Sequence, residues 1–282
     1  MKRSGLKSIM TFELKMARRS GWLRSFTIAF IAIGIIVIIF GTVSGAKNIL
    51  SNYNNTTATL LNIALYLIPL FSLCIGSITI SEENESGSMM LLLTYPVSFF
   101  MVVLGKYLGL VFAFTGAIGS SIGLSVILMI VVGMYGSIKT YIIFAFASFM
   151  LMMIYLAISV LIGFCSKSRM QAIGWGLAIW FLSIIIYEPA ITILCLLIPH
   201  NYVIPVLTVS ILINPADMIR IISMLLMGSE AVLGSEMKDF IVFSKGTIGI
   251  IFCTVLFLAY ILAPNYLAHR FLKREINEQH NT

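Results

Sequence analysis

Between residues 82 and 106 the chain gathers its densest group of side chains suited to chemistry at a surface. Glu82, Glu83 and Glu85 form an acidic cluster. Gly87 follows, Leu91 and Leu92 sit in a short apolar run, and Pro96 closes that run ahead of Gly105-Lys106. A proline inside a helix costs about 3 kcal/mol and usually marks a boundary. Acidic charge running into an apolar segment that stops at a proline is chemistry for docking another protein rather than for breaking bonds. Residues 82–96 are therefore expected to form a docking element, with a second helix after Pro96 capped by Ser98. No catalytic residue is expected. The chain has no G-x-x-x-x-G-K-[ST] loop, and Gly105-Lys106 lacks the upstream glycine, so phosphate chemistry is not expected of it.

A second group lies further along. Glu188 interrupts apolar sequence just before Pro189, and no His, Ser or second acid stands near it to make a catalytic pair. An acid within a membrane span is functional by default, while one near a span's end can snorkel to the headgroups; both readings stay open. Asn214-Pro215-Ala216-Asp217 reads as a helix start, Asn214 as N-cap and Pro215 at the first position. Glu188, Asn214, Pro215 and Asp217 are the candidates for a translocation path or a contact with an outer partner. Asp217 and Arg220, three apart, are expected to form an exposed pair worth little. Met150, Met152 and Met153 could offer thioethers to Cu(I), but methionine is also a common apolar filler, and that reading carries more weight. His200 stands alone, and Cys74, Cys165, Cys195 and Cys253 form no C-x-x-C pair. No metal site is expected.

The elements that must hold these residues are membrane helices. Of 282 residues 60% are hydrophobic and 10% charged, and the mean hydropathy is +1.04; soluble domains carry about 25% charged residues. The expected fold is all-α with six spans, near 22–42, 59–80, 107–132, 141–165, 172–198 and 247–267, in one domain over 1–282. Residues 6–19 read as an amphipathic helix in the membrane interface. Ile9, Phe12 and Met16 share its apolar face and Lys7, Thr11, Lys15 and Arg18 its polar one, Arg19 follows, and Glu13 projects from the apolar side. Span five should kink at Glu188-Pro189. Residues 202–213 are too short to cross and are expected to dip back on the outer side. The N-terminus shows no signal-peptide pattern.

The net charge of +7 does not point to nucleic acid, because the basic residues crowd the ends of apolar spans, as the positive-inside rule requires. With both termini, 81–106 and 166–170 on the cytoplasmic side, thirteen of the 18 Lys and Arg lie inside and five outside. This orientation places the chain in the plasma or inner membrane, in contact with lipid. No internal repeat is evident, which weighs against a transporter built from repeated halves.

The run from Ser81 to Pro96 followed by Gly105-Lys106 resembles the signature of ABC-2-type transporter permeases, in which an acidic pair, Gly-Thr, an apolar helix, Pro and Gly-Lys recur in that order. Ser88 stands where threonine is common, and Phe99-Phe100 where an Arg or Gly often follows the turn. Leu91-Leu92-Leu93-Thr94-Tyr95-Pro96 is most similar to the branch serving maturation of nitrous-oxide reductase, a copper enzyme. Glu13-Leu14, Trp22-Leu23, Trp180-Phe181-Leu182 and Leu212 to Asp217 extend the similarity along nearly the whole chain. The resemblance implies a non-catalytic subunit, paired with a second copy and with a separate ATPase that binds ATP and Mg. It implies that Glu82, Glu83, Glu85, Gly87, Leu91, Leu92, Pro96 and Lys106 couple to that ATPase, and that Glu13, Arg18 and Arg19 belong to an interfacial elbow helix. The work done is either transport, including export of a drug, lipid, peptide or ion, or mechanical action on an extracytoplasmic partner.

Overall fold

The computed structural model describes residues 2–19, 21–44, 49–93, 98–131, 138–227, 242–244 and 246–280. Every regular element among them is helical. In chain order they are α1 (Lys2–Arg19), α2 (Gly21–Ser44), α3 (Ile49–Glu85), α4 (Ser88–Leu93), α5 (Phe99–Val131), α6 (Ile138–Cys165) and α7 (Arg169–Trp180). A π-helical stretch (Phe181–Ile186) leads into α8 (Tyr187–Leu197), followed by α9 (His200–Ile213), α10 (Pro215–Met227) and α11 (Thr247–His280). Six stretches are long and apolar enough to cross a bilayer: Gly21–Ile39, Thr59–Glu85, Phe99–Val131, Ile138–Cys165, Arg169–Leu197 and Thr247–Arg274.

The helix ends depart from the sequence reading where they matter most. α3 does not stop at residue 80 but continues through Glu85, so the three acids cap a span instead of opening a separate element. Glutamate is a good helix former, and nothing breaks the helix before Gly87. There the backbone turns at φ +72°, a conformation glycine takes without steric cost. Only Ser88–Leu93 then forms the short helix α4; Pro96 lies outside the described residues. α5 begins at Phe99, directly after the expected Ser98 cap, and its apolar span takes in the eight residues before the expected 107, so that Lys106 sits two turns inside it. Ser98 caps that helix as expected, its Oγ accepting from the Met101 N–H at 3.4 Å.

The core lies where α3, α5 and α6 meet, and small residues let the backbones close up. A β-carbon at Gly163 of α6 would stand 2.7 Å from the Ile80 β-carbon of α3, and one at Gly76 would stand 2.1 Å from Ser159 Oγ. Between membrane helices, association rests on such close packing. Phe26 of α2 joins the core through rings of Phe71 on α3 and Phe114 on α5, with centroids 4.6 and 5.9 Å away.

The fifth span is built differently. Among its described residues only Ala172 and Gly176 are buried. In place of the expected kink at Glu188-Pro189 the span runs on from Arg169 to Leu197, its winding loosened to a π-helical stretch at Phe181–Ile186, and Pro189 is accommodated in the first turn of α8. π-turns within α-helices cluster at functional sites. Beyond it, α9 and α10 meet at 105°, with Asn214 at the corner, which is the geometry of a segment that turns back.

Candidate functional site

α1 packs along α5, and its buried face is not the one its apolar residues suggest. Ile9, Glu13 and Ala17 point into the protein, while Phe12 and Met16 are exposed. The approach is close at Gly109 of α5, where a β-carbon would lie 2.4 Å from the Glu13 β-carbon and 3.1 Å from the Met10 carbonyl. Glu13 thereby reaches Lys106. The Lys106 ammonium, fully buried, donates to Glu13 Oε1 and, at 2.7 Å each, to both carboxylate oxygens of Glu83 on α3. One base from α5 thus ties together two acids from α1 and α3, ninety-three and twenty-three residues away in sequence. Burial raises the Glu13 carboxyl above its ordinary value, the neighbouring Lys106 charge pulls it back, and the Glu83 carboxylate raises it further.

Glu82 and Glu85 take the other side of the α3 end. Both pair with Arg169 at the start of α7, at 3.3 and 3.5 Å, and all three side chains are about half exposed. Glu85 Oε2 also accepts from the Arg169 backbone N–H at 2.9 Å. Asn84 donates to the Gly163 and Ser166 carbonyls at the end of α6. The acidic cluster is thus bound within the molecule to the α6–α7 connection and to Lys106. On α4, Met89 is buried and Leu91 is 68% exposed, so one side of this short helix is anchored and the other presented. The side chain of Leu92 lies outside the described residues, as does that of Arg18. Arg19 is exposed on the last turn of α1, and its carbonyl accepts from the Arg24 guanidinium.

The second group assembles around the corner at Asn214. As predicted, Asn214 caps α10: its Oδ1 accepts from the Ala216 N–H at 3.1 Å, with Pro215 at the first helical position. Asn214 Nδ2 donates to Asp217 Oδ2 at 3.0 Å and to the Ser183 carbonyl in the π-turn at 2.8 Å. Arg220 binds Glu188 and, at 3.2 Å, Asp217. The expected exposed Asp217–Arg220 pair is corrected here. Asp217 is buried, because the 105° bend folds α10 back against the bundle, and Arg220 is shared with Glu188. Glu188, Asp217, Asn214 and Arg220 border a small cleft of about 30 Å³, room for a water or two, with Asn62 and Tyr66 of α3 on its far wall.

Sequence reasoning missed the residues that brace this corner. Tyr155 of α6 donates to Ser183 Oγ, Tyr187 donates to the Ser210 carbonyl at 2.7 Å, Tyr260 of α11 donates to the Leu212 and Ile213 carbonyls, and the Trp180 indole donates to the Tyr66 carbonyl. Tyrosine and tryptophan within apolar spans, each needing a partner when buried, were the available signal. Met152 is fully buried with Met150 and Met153 packed against the core, and His200 is exposed at the first turn of α9.

Comparison with known proteins places both groups within one family. The model of a family described as ABC-2 family transporter protein matches residues 8–276. The chain is 27% identical over 222 residues to the Probable ABC transporter permease protein NosY of Pseudomonas aeruginosa, an alignment covering 75% of this chain and 78% of that one. It is 26% identical over 216 residues to the protein of the same name in Stutzerimonas stutzeri, with the same coverage. With six apolar helices and a match from α1 into α11, the chain is a multi-pass integral membrane protein belonging to the ABC-2 family of transporter permeases.

Proposed function

We propose that this permease converts the motion of a separate ATP-binding subunit into rearrangement of its spans, and that α4 is the element the ATPase grips. The observation that carries this reading is the sidedness of α4, with Met89 buried in the bundle and Leu91 exposed, at the end of the helix that carries Glu83. ATP and Mg belong to the partner, and the chain itself is non-catalytic. The active assembly holds two copies of the chain and two ATPase subunits in the plasma or inner membrane, with both termini cytoplasmic as the positive-inside count requires. Among the described residues only Ala172 and Gly176 of α7 and α8 are buried, which leaves this span free to meet a second copy or lipid.

Similarity to relatives named NosY, together with the Leu91–Pro96 sequence, supports service to a copper enzyme of the nitrous-oxide reductase kind, through mechanical action on an extracytoplasmic partner near Glu188 and Asp217. A second reading, export of a drug, lipid, peptide or ion, is supported by the family match, the cleft beside Glu188 and Arg220 being only about 30 Å³. The test is co-purification with the cognate ATP-binding subunit. Leu91→Asp leaves the buried side of α4 intact and is expected to abolish ATPase retention without loss of membrane insertion. Undiminished retention would remove α4 as the docking element. ATPase activity of the reconstituted complex, measured with candidate partners and candidate substrates, separates the two readings.

A further inference from the structure

The junction of α1, α3 and α5 does not balance as drawn. Lys106 supplies one positive charge and three N–H donors, and those donors are spent on Glu13 Oε1, Glu83 Oε1 and Glu83 Oε2. The fourth carboxylate oxygen, Glu13 Oε2, is buried and has no hydrogen-bond partner among the described residues. Glu13 is 1% exposed and Lys106 is sealed, while the Glu83 side chain is 13% exposed. Among the described residues, the charged groups acting on Glu13 are Lys106 from α5 and Glu83 from α3, with no second base. Two ionised acids on one ammonium would leave an uncompensated negative charge in this site, which a protein avoids by neutralising the group.

We infer that the Glu13–Lys106–Glu83 junction is a proton-binding site that holds one proton between its two carboxyls at neutral pH, with Glu13 Oε2 as the position that carries it. The ammonium then faces one carboxylate and one carboxylic acid, the junction is electrically neutral, and α1 can rest on α5 without a buried net charge. Like charges side by side and cut off from water disfavour ionisation of both acids at once. The upward displacement of Glu13 agrees with this account. When the proton leaves, the negative charge returns beside the α1–α5 contact at Gly109, so alkaline conditions loosen α1 from α5, whatever part α4 takes in the ATPase reading. The proton inference itself does not depend on that reading.

The test is infrared spectroscopy of the full chain in lipid nanodiscs, without any ATPase, using glutamate labelled with ¹³C at the side-chain carboxyl. The label separates glutamate from Asp217. At pH 7.5 the wild type is expected to show a protonated-carboxyl C=O band that moves with ¹³C and with D₂O. Glu13→Gln and Glu83→Gln each leave one acid for one ammonium and should each abolish the band. Lys106→Met leaves two acids without a base and should increase it. Absence of the band in the wild type, or its persistence in both Gln variants, overturns the inference. Should a Gln variant fail to fold, the wild-type titration decides. A labelled band that survives well above the usual glutamate range supports the site, and one that vanishes with the exposed glutamates overturns it. Since no ATPase is present, failure here leaves the docking reading of α4 standing, and loss of α4 docking leaves this result standing.

Discussion

Among the described residues the permease sets two acids on one base three times, and the clusters at Lys106 and Arg220 lie in opposite surroundings. On the α1, α3 and α5 side, Lys106 is sealed between Glu13 and Glu83, on helices whose backbones nearly touch. At the α8–α10 corner, Arg220 is 31% exposed between Glu188 and Asp217, beside a π-turn, a 105° bend and an open cleft. A charge deprived of water depends on its partners, and removing one is costly; a charge that keeps water loses little. The choice of base fits each place. Lysine is a compact point charge with three donors that can serve three oxygens, while the flat guanidinium of arginine reaches two separate carboxylates and keeps its weaker hydration shell at an opening. The first cluster is a weld between helices, and the second is an adjustable contact.

The largest test of that contrast is Lys106→Met, which strands two acids in the junction. It is expected to cost about 3–5 kcal/mol at neutral pH, read as a fall in thermal stability of the purified chain in detergent, and to cost least in acid, where both carboxyls are neutral. If Lys106→Met unfolds no more easily than Arg220→Met, the two clusters do not differ as described. Next comes Gly109→Leu, which places a side chain where Glu13 and the Met10 carbonyl already stand; overpacking of this kind costs about 1–3 kcal/mol. Limited proteolysis within α1 should become faster, and unchanged protection would show that α1 is not held by that contact.

A pH effect of intermediate size follows from Glu13. Its folded-state pKa is raised, so the folded chain holds the proton more tightly than the unfolded one. The stabilisation is whole below the ordinary value of 4.5 and is lost as pH rises through the raised one. Thermal stability should therefore decline with pH above that ordinary value, and Glu13→Gln should flatten the slope. A wild-type slope retained in Glu13→Gln would assign the effect elsewhere. The smallest changes are expected outside the weld. Arg169→Ala, whose partners Glu82 and Glu85 are half in water, should shift stability by about 1 kcal/mol or less, and Arg220→Met, which strands the buried Asp217 but leaves Glu188 in water, should fall between it and Lys106→Met.

Much of this was legible in the chain because membrane helices announce themselves by length and apolarity, and caps by local spacing. Six spans, the Ser98 cap and the Asn214-Pro215 helix start all rest on contacts within a few residues. What escaped was assigned by contacts across the fold. Glu82, Glu83 and Glu85 read as one acidic patch, yet once α3 continues through them a helical rotation of about 100° per residue sends Glu83 to a different side from Glu82 and Glu85. The destination of Glu83 depends on α1 and α5, which no local rule reveals. Glu13 stood out as an acid on an apolar face, and its partner lay ninety-three residues away. Asp217 read as exposed because its neighbours suggest a surface helix; burial came from the bend at Asn214.

α3 belongs to both clusters, with Glu83 in the weld and Asn62, Leu65 and Tyr66 on the wall of the cleft. Its apolar stretch Thr59–Glu85, 27 residues, makes a lever arm about 40 Å long at 1.5 Å per residue. Pivoted at the Glu83 end, a tilt of about 5° carries Asn62, roughly 32 Å along the helix, through about 2.7 Å, a distance comparable to a hydrogen bond made or broken. On the reading in which an ATPase moves the spans, a stroke too small to disturb the packing around the fulcrum is felt at the wall of the cleft as a change of hydrogen-bond reach.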